Sequence, residues 1–115
     1  MLRDKLFLLN KDFEDPAYPG EVFYCWDCVS VEGLLKLYPS LETSLDIVRV
    51  DWKRPRPAII ELIGEENQNS PVLVFADDAP SDLADGEYKG RRFANTIPSI
   101  RKALAARHAI ARAHP

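Results

Sequence analysis

The residue pattern predicts an α/β domain with the element order βαβαββα. Three observations carry the prediction. Short, strongly apolar runs occur at Lys5 to Leu9, Asp46 to Asp51 and Pro71 to Phe75. Apolar residues recur at helical spacing in segments between and after them, and proline- or glycine-containing breaks separate the two kinds of segment. With 115 residues, 46% of them apolar, the chain suits one compact domain over 1–115 with a single core.

Lys5-Leu6-Phe7-Leu8-Leu9 is nearly continuous in apolar residues and ends at Asn10, which suits a strand buried on both faces. Lys11 to Tyr24 carries Pro16, Pro19 and Gly20 among acidic residues, so it reads as an irregular but ordered loop. From Trp26 to Tyr38, Val31, Leu34, Leu35 and Tyr38 fall at helical spacing, and Pro39 ends the pattern. Asp46 to Asp51 is β-branched between polar flanks and reads as the second strand. Pro57 suits a helix first turn, Ile59, Ile60, Leu62 and Ile63 give that helix its apolar face, and Gly64 suits its C-terminal cap. Pro71-Val72-Leu73-Val74-Phe75 reads as a third buried strand opened by a proline, where a missing N–H is tolerated. Asp77 to Gly86 is an acidic loop, and Glu87 to Phe93 a fourth strand or hairpin arm broken by Gly90. Ile97, Ile100, Leu104 and His108 then share one stripe of a last helix.

The formal net charge of −3 comes from acidic and basic residues read as scattered along the chain, so nucleic acid is not an expected partner. Met1 to Asn10 has charges inside its apolar stretch and no small-residue cleavage site, and no segment is long enough to cross a bilayer. The expected compartment is the cytoplasm and no membrane partner is expected. In a reducing cytoplasm a C-x-x-C pair is more often catalytic or metal-binding than a structural bridge.

The chain's only two cysteines stand in Cys25-Trp26-Asp27-Cys28, at the start of the first predicted helix. Thiols at i and i+3 can reach disulfide distance there, and the positive end of the helix dipole favours thiolate. Two other readings of the pair remain open: ordinary buried cysteines, or half of a zinc site. Asp27 opposes thiolate formation through its charge. Tyr24 and Trp26 flank the thiols as an apolar platform or as core-edge packing. Asp51-Trp52-Lys53-Arg54-Pro55-Arg56-Pro57 either places Arg54, Arg56 and the Trp52 indole at the rim of a site or forms a solvated loop with Trp52 capping the core edge. Arg91 and Arg92 read as a strand's solvated face.

Phe23-Tyr24-Cys25-Trp26-Asp27-Cys28 and Asn69-Ser70-Pro71-Val72-Leu73-Val74-Phe75, in a βαβαββα order, resemble the redox motif and cis-proline strand of the thioredoxin-like superfamily. The nearest likeness in length is to glutaredoxins and to the N-terminal domain of glutathione transferases. Glu65-Glu66-Asn67-Gln68 and Ala105-Ala106-Arg107-His108 are similar to an uncharacterised group of small bacterial thioredoxin-like proteins. The resemblance implies a mixed four-stranded sheet flanked by helices, with Cys25 as nucleophile, Cys28 as resolving thiol and Pro71 as a cis-proline facing them. It further implies that the Ser70 backbone pairs with substrate, and that a small thiol or protein disulfide is the partner. The motif interior departs from the family, being Trp-Asp instead of Gly-Pro or Pro-Tyr, and Ala94-Asn95-Thr96 stands where glutaredoxins carry a Gly-rich turn.

The function expected is thiol–disulfide oxidoreduction without a bound cofactor, with glutathione a candidate co-substrate. Asn95 or Thr96 at the last helix's N-terminus would cap that helix or share its donors with one of the glutathione carboxylates, and Arg54 or Arg56 would hold the other. The alternatives are a non-catalytic binding module on the same fold, and a dimer sharing zinc or an iron–sulfur cluster between two dithiols. A zinc site within one chain is not expected, because His108 would lie ~18 Å along a helix that runs away from the motif, at about 1.5 Å per residue. His108 reads as a helix-face residue and His114 as part of a tail.

Overall fold

The computed structural model describes residues 1–115. Its elements are β1 (Lys5–Leu9), α1 (Trp26–Leu37), α2 (Leu41–Ser44), β2 (Asp46–Val50), α3 (Pro57–Ile63), β3 (Val72–Val74), β4 (Gly86–Tyr88), β5 (Arg91–Ala94) and α4 (Ile97–Arg107). The five strands form one sheet in the order β2-β1-β3-β5-β4. β1 and β2 run parallel, joined by the crossover that parallel strands require, and every other neighbouring pair is antiparallel.

β1 and β3 are apolar at every turn of the pleat because both of their faces are covered. Leu6, Leu8 and Leu73 meet Val31 and Leu35 of α1 and Ile100 and Leu104 of α4 in the larger core. Phe7, Val72 and Val74 point the other way, onto Ile59 and Ile63 of α3. At about 1.5–3 kcal/mol for a fully buried aliphatic or aromatic side chain, these two layers supply the main drive for folding. Gly64 ends α3 with φ +87°, and a Cβ there would stand 2.7 Å from the Tyr88 ring, so the cap serves both backbone and packing. No helix is long and apolar enough to cross a membrane.

The expected four-stranded sheet is corrected to five strands. Lys89 and Gly90, both at positive φ, make a two-residue hairpin turn that folds Gly86–Tyr88 back on Arg91–Ala94. A lysine in the left-handed region is not a familiar turn signal, which is why one broken strand was expected. The one-turn helix α2 was likewise not foreseen, and β3 begins just after Pro71, one residue later than expected. Arg92 is half-buried, donating to the Ala79 carbonyl at 2.9 Å and pairing with Glu87 at 3.2 Å, so it is no solvated strand face.

His108 is likewise more than a helix-face residue. Its Nε2 lies 2.7 Å from Asp4 Oδ2 and its Nδ1 3.1 Å from Ser44 Oγ. Asp4, 2% exposed before β1, also accepts both arms of Arg107 at 2.8 and 2.9 Å and the Ala76 N–H at 2.8 Å. Burial works against ionisation of Asp4, but the hydrogen bonds from His108, Arg107 and Ala76 and the Arg107 charge outweigh it and hold the carboxyl below the ordinary carboxylate range.

Because the Asp4 pKa is lower folded than unfolded, this stabilisation is complete above the ordinary value of 3.8 and is lost as pH falls below it. Asp4→Asn should cost about 3 kcal/mol at neutral pH, since it removes the buried carboxylate on which Arg107, His108 and the Ala76 N–H converge and leaves Arg107 only its exposed pairing with Asp78. Urea titrations from neutral pH down to pH ~2 check this: the gap between wild type and variant should narrow on acidification.

Candidate functional site

The candidate site lies at the carboxyl end of β1, where the loops after β1 and β2 and the segments preceding β3 and α4 converge on the start of α1. Cys25 is the N-cap of α1, and its Sγ accepts the Cys28 N–H at 3.2 Å. One of the helix's unpaired first-turn donors is thereby aimed at the sulfur that would carry negative charge. Cys25 is half-buried and Cys28 buried, and both are free thiols. Cys28 Sγ accepts the Leu9 N–H at 3.4 Å and stands 3.8 Å from Ser70 Oγ, whose hydroxyl donates to the Phe7 carbonyl at 3.2 Å. Burial pushes the Cys28 thiol up to about 12, assisted by the hydrogen bond and charge of Cys25, while Leu9 and Ser70 pull the other way. The two sulfurs thus have different tasks open to them: one reachable and helix-capped, one protonated and enclosed.

The Ser70–Pro71 bond is cis, and the Ser70 carbonyl lies 4.0 Å from Cys25 Sγ. Around this pair opens a cavity of about 720 Å³ lined by Tyr24, Cys25, Trp26, Arg54, Arg56, Ser70, Pro71, Asn95 and Thr96 together with Phe13, Trp52 and Asn69. Cys28 is not in its wall and sits behind Cys25. Tyr24 and Trp26 are 66% and 85% exposed, so they rim the cavity instead of packing on the core. Phe13 brings the long loop after β1 into the wall. A two-way backbone pairing of Phe13 with Phe23 closes that loop, and the Phe13 ring stacks on Trp52 at 5.6 Å. The stack contributes about 0.5–1.5 kcal/mol beyond burial and holds Trp52 at the cavity edge.

The hydrogen bonding corrects Arg56 as a ligand contact and favours the capping role over the ligand role for Thr96. Arg56 is buried, and its guanidinium donates to the main-chain carbonyls of Asp51 (3.2 Å), Gln68 (2.7 Å) and Trp52. It therefore binds the loop after β2 to the approach to Pro71 and is not available as a carboxylate fork. Burial and the neighbouring Arg54 charge lower its pKa while Cys25 and Cys28 oppose them, so cation and dithiol feel one another. The N–H groups of Asn95 and Thr96 are also taken: Asp85 accepts them at 2.8 and 3.1 Å, along with Ser99 Oγ at 2.7 Å. Burial disfavours the Asp85 anion, yet the Ser99, Asn95 and Thr96 donors prevail and lower its pKa. Thr96 caps α4 through Oγ1, which accepts the Ser99 N–H at 3.4 Å.

Arg54 remains the exposed cation of the wall, held by Asn69 at 2.9 Å. Phe13 and Asn69 join the site without having been assigned to it, and Trp52 stands in the cavity wall, the place one of its two readings gives it. Asp85 carried no signal, because its partners lie 10 to 14 residues away. No group of three or more His, Cys, Asp or Glu side chains is placed to hold a metal ion.

Fold and site together define a small α/β domain that presents a helix-capping dithiol beside a cis-proline at one end of its sheet. Residues 3–112 match DUF3088, a family of proteins of unknown function, and the chain belongs to it. No curated protein and no solved structure matches the chain.

Mass-mapped alkylation at neutral pH should label Cys25 well before Cys28, with Cys28 labelling becoming fast only as pH approaches 12. Equal labelling of the two would remove the asymmetry. Asp85→Ala should destabilise the chain by about 1 kcal/mol in urea unfolding, as loss of a helix-start side-chain acceptor does, without changing Cys25 labelling.

Proposed function

We propose that the protein is a thioredoxin-like thiol–disulfide oxidoreductase of the cytoplasm, with Cys25 as nucleophile and Cys28 as resolving thiol. The observation that carries the reading is the Cys25 sulfur itself: it caps α1, accepts the Cys28 N–H at 3.2 Å and faces the Ser70–Pro71 segment across an open cavity. The mixed four-stranded sheet implied by the family resemblance is contained in β2-β1-β3-β5, with β4 as an added edge strand.

In the reaction, Cys25 thiolate attacks one sulfur of a disulfide R–S–S–R′. The S–S bond breaks, Cys25–S–S–R forms, and R′S⁻ leaves to take up a proton. The negative charge on Cys25 is then gone, and with it that part of what holds the Cys28 pKa up. Cys28 loses its proton and attacks the Cys25 sulfur, releasing RSH and closing the Cys25–Cys28 bridge. The substrate has gained two electrons and the dithiol has lost two. Two molecules of glutathione, as co-substrate, reopen the bridge and leave as oxidised glutathione. Arg54 and the Trp52 and Phe13 rings are the groups in reach of a ligand's carboxylate and apolar parts.

A second reading draws on the exposure of Tyr24 and Trp26: a non-catalytic module that holds a peptide or protein in the same cavity. Equilibration in glutathione redox buffers separates the two. The dithiol should convert cooperatively to an internal bridge at a potential between about −270 and −120 mV, the span of known dithiol catalysts. Cys25→Ser should abolish disulfide reduction, and Cys28→Ser should accumulate the mixed disulfide. If no bridge forms at any poise, the oxidoreductase reading fails and the binding module replaces it.

A further inference from the structure

The overall charge of −3 hides an uneven distribution: from Ile97 to Pro115 the chain carries Arg101, Lys102, Arg107 and Arg112 and no acidic side chain. Arg107 is neutralised by Asp4 and Asp78, whereas Arg101, Lys102 and Arg112 join none of the chain's ion pairs. These three line a groove of about 700 Å³ between α4 and the segment that follows it, over an apolar floor that includes Ala105, Ala106 and Ile110. No carboxylate side chain lines the groove. Pro98, at the start of α4, lines both this groove and the cavity holding Cys25, so the cationic groove and the thiol cavity adjoin there.

We propose that this groove docks an acidic polypeptide, so that the substrate of the thiol site is a disulfide in a protein segment flanked by carboxylates. The inference rests on the oxidoreductase reading for the reaction, and on charge and adjacency for the docking. Unpaired cations in a chain of opposite net charge form a locally attractive field for an anion, and they steer encounter as well as hold it. The apolar floor suits the aliphatic parts of a polypeptide. Nucleic acid fits less well, since the groove offers no Phe, Tyr or Trp ring on which a base would stack, only the His114 imidazole, and only three free arginine and lysine cations. A membrane surface would need larger apolar anchors than alanine and a single isoleucine.

The test uses the full chain and two peptides, each joined to a neutral thiol by a disulfide. One carries glutamates beginning four residues to either side of its cysteine, ~13 Å of extended chain away; the other has glutamines at those positions. The reduced protein should react about tenfold faster with the glutamate peptide at low salt and at nearly equal rates at high salt, as expected for about three exposed charge pairs. R101E/K102E/R112E should reverse the preference while reacting normally with the glutamine peptide. The milder R101Q/K102Q, which should cut the preference severalfold, serves if the triple variant does not fold.

Equal rates on wild type, or a preference that survives the charge changes, would overturn the docking groove and leave the redox reading standing. If neither peptide reacts, the redox reading fails, and anisotropy of a cysteine-free glutamate peptide decides the groove alone. Salt-sensitive binding lost in the variants supports docking, and absence of binding overturns it. Tighter binding of single-stranded RNA or of phosphatidylserine vesicles than of the glutamate peptide would also overturn the polypeptide as occupant.

Discussion

The structure depends on β1 being enclosed on every side. Its edges pair with β2 and β3, and its faces carry Leu6 and Leu8 against α1 and α4 and Phe7 against α3. Past Lys5 at its start, a strand so placed has no room for a polar side chain, because an unpaired polar group there would cost several kcal/mol. Polar chemistry is therefore displaced to its two ends. At the amino end Asp4 gathers Arg107, His108 and the Ala76 N–H, and at the carboxyl end the Leu9 N–H donates to the Cys28 sulfur. One end is closed by a saturated ion cluster that locks α4 to the sheet. The other is left open, with a thiol at the surface and a second thiol behind it.

The open end is assembled from loops that are individually irregular but tied to one another through main-chain groups. Arg56 spans the carbonyls of Asp51, Trp52 and Gln68, binding the loop after β2 to the approach to Pro71. Asp85 does the same on the other flank by taking the N–H groups at the start of α4. A buried cation satisfied by carbonyl dipoles, and an anion satisfied by amide and hydroxyl donors, hold their loops in one geometry without an opposite charge beside them. Arg56 lines the dithiol's cavity, so a group that orders the loops also shares its electrostatic field with the sulfurs. Of the cations near the sulfurs, the one left free for solvent and ligand is Arg54.

Much of this was legible in the order of residues. The apolar runs of β1, β2 and β3, the helical spacing after Cys25 and after Thr96, Pro57 at a helix start and Gly64 at its end are local signals, read within a few residues. Cys25, Tyr24 and Trp26 were placed by the start of α1 and Arg54 by the end of β2, whereas Ser70 and Pro71 were expected opposite the thiols only because the motif resembles a known redox family; all six line one cavity. The second arm of the β4–β5 hairpin was missed because its turn is Lys-Gly, with the lysine in a conformation that side chains seldom adopt.

Arg56, Asp85, Asp4 and His108 mark the limit of local reading. In the sequence Arg56 looks the same as Arg54, yet one is buried under three carbonyls and the other faces solvent. His108 lies 104 residues from the carboxylate it meets, and Ser70 lies 42 from the sulfur it approaches. The sequence by itself determined where β1, β2, β3, α1, α3 and α4 lie, and that a dithiol opens the first helix, because propensity, periodicity and capping act between near neighbours. Only the tertiary structure decided which charges are spent within the fold and which remain for a partner, because a hydrogen bond depends on which distant segments the packed sheet brings within 3 Å of each other.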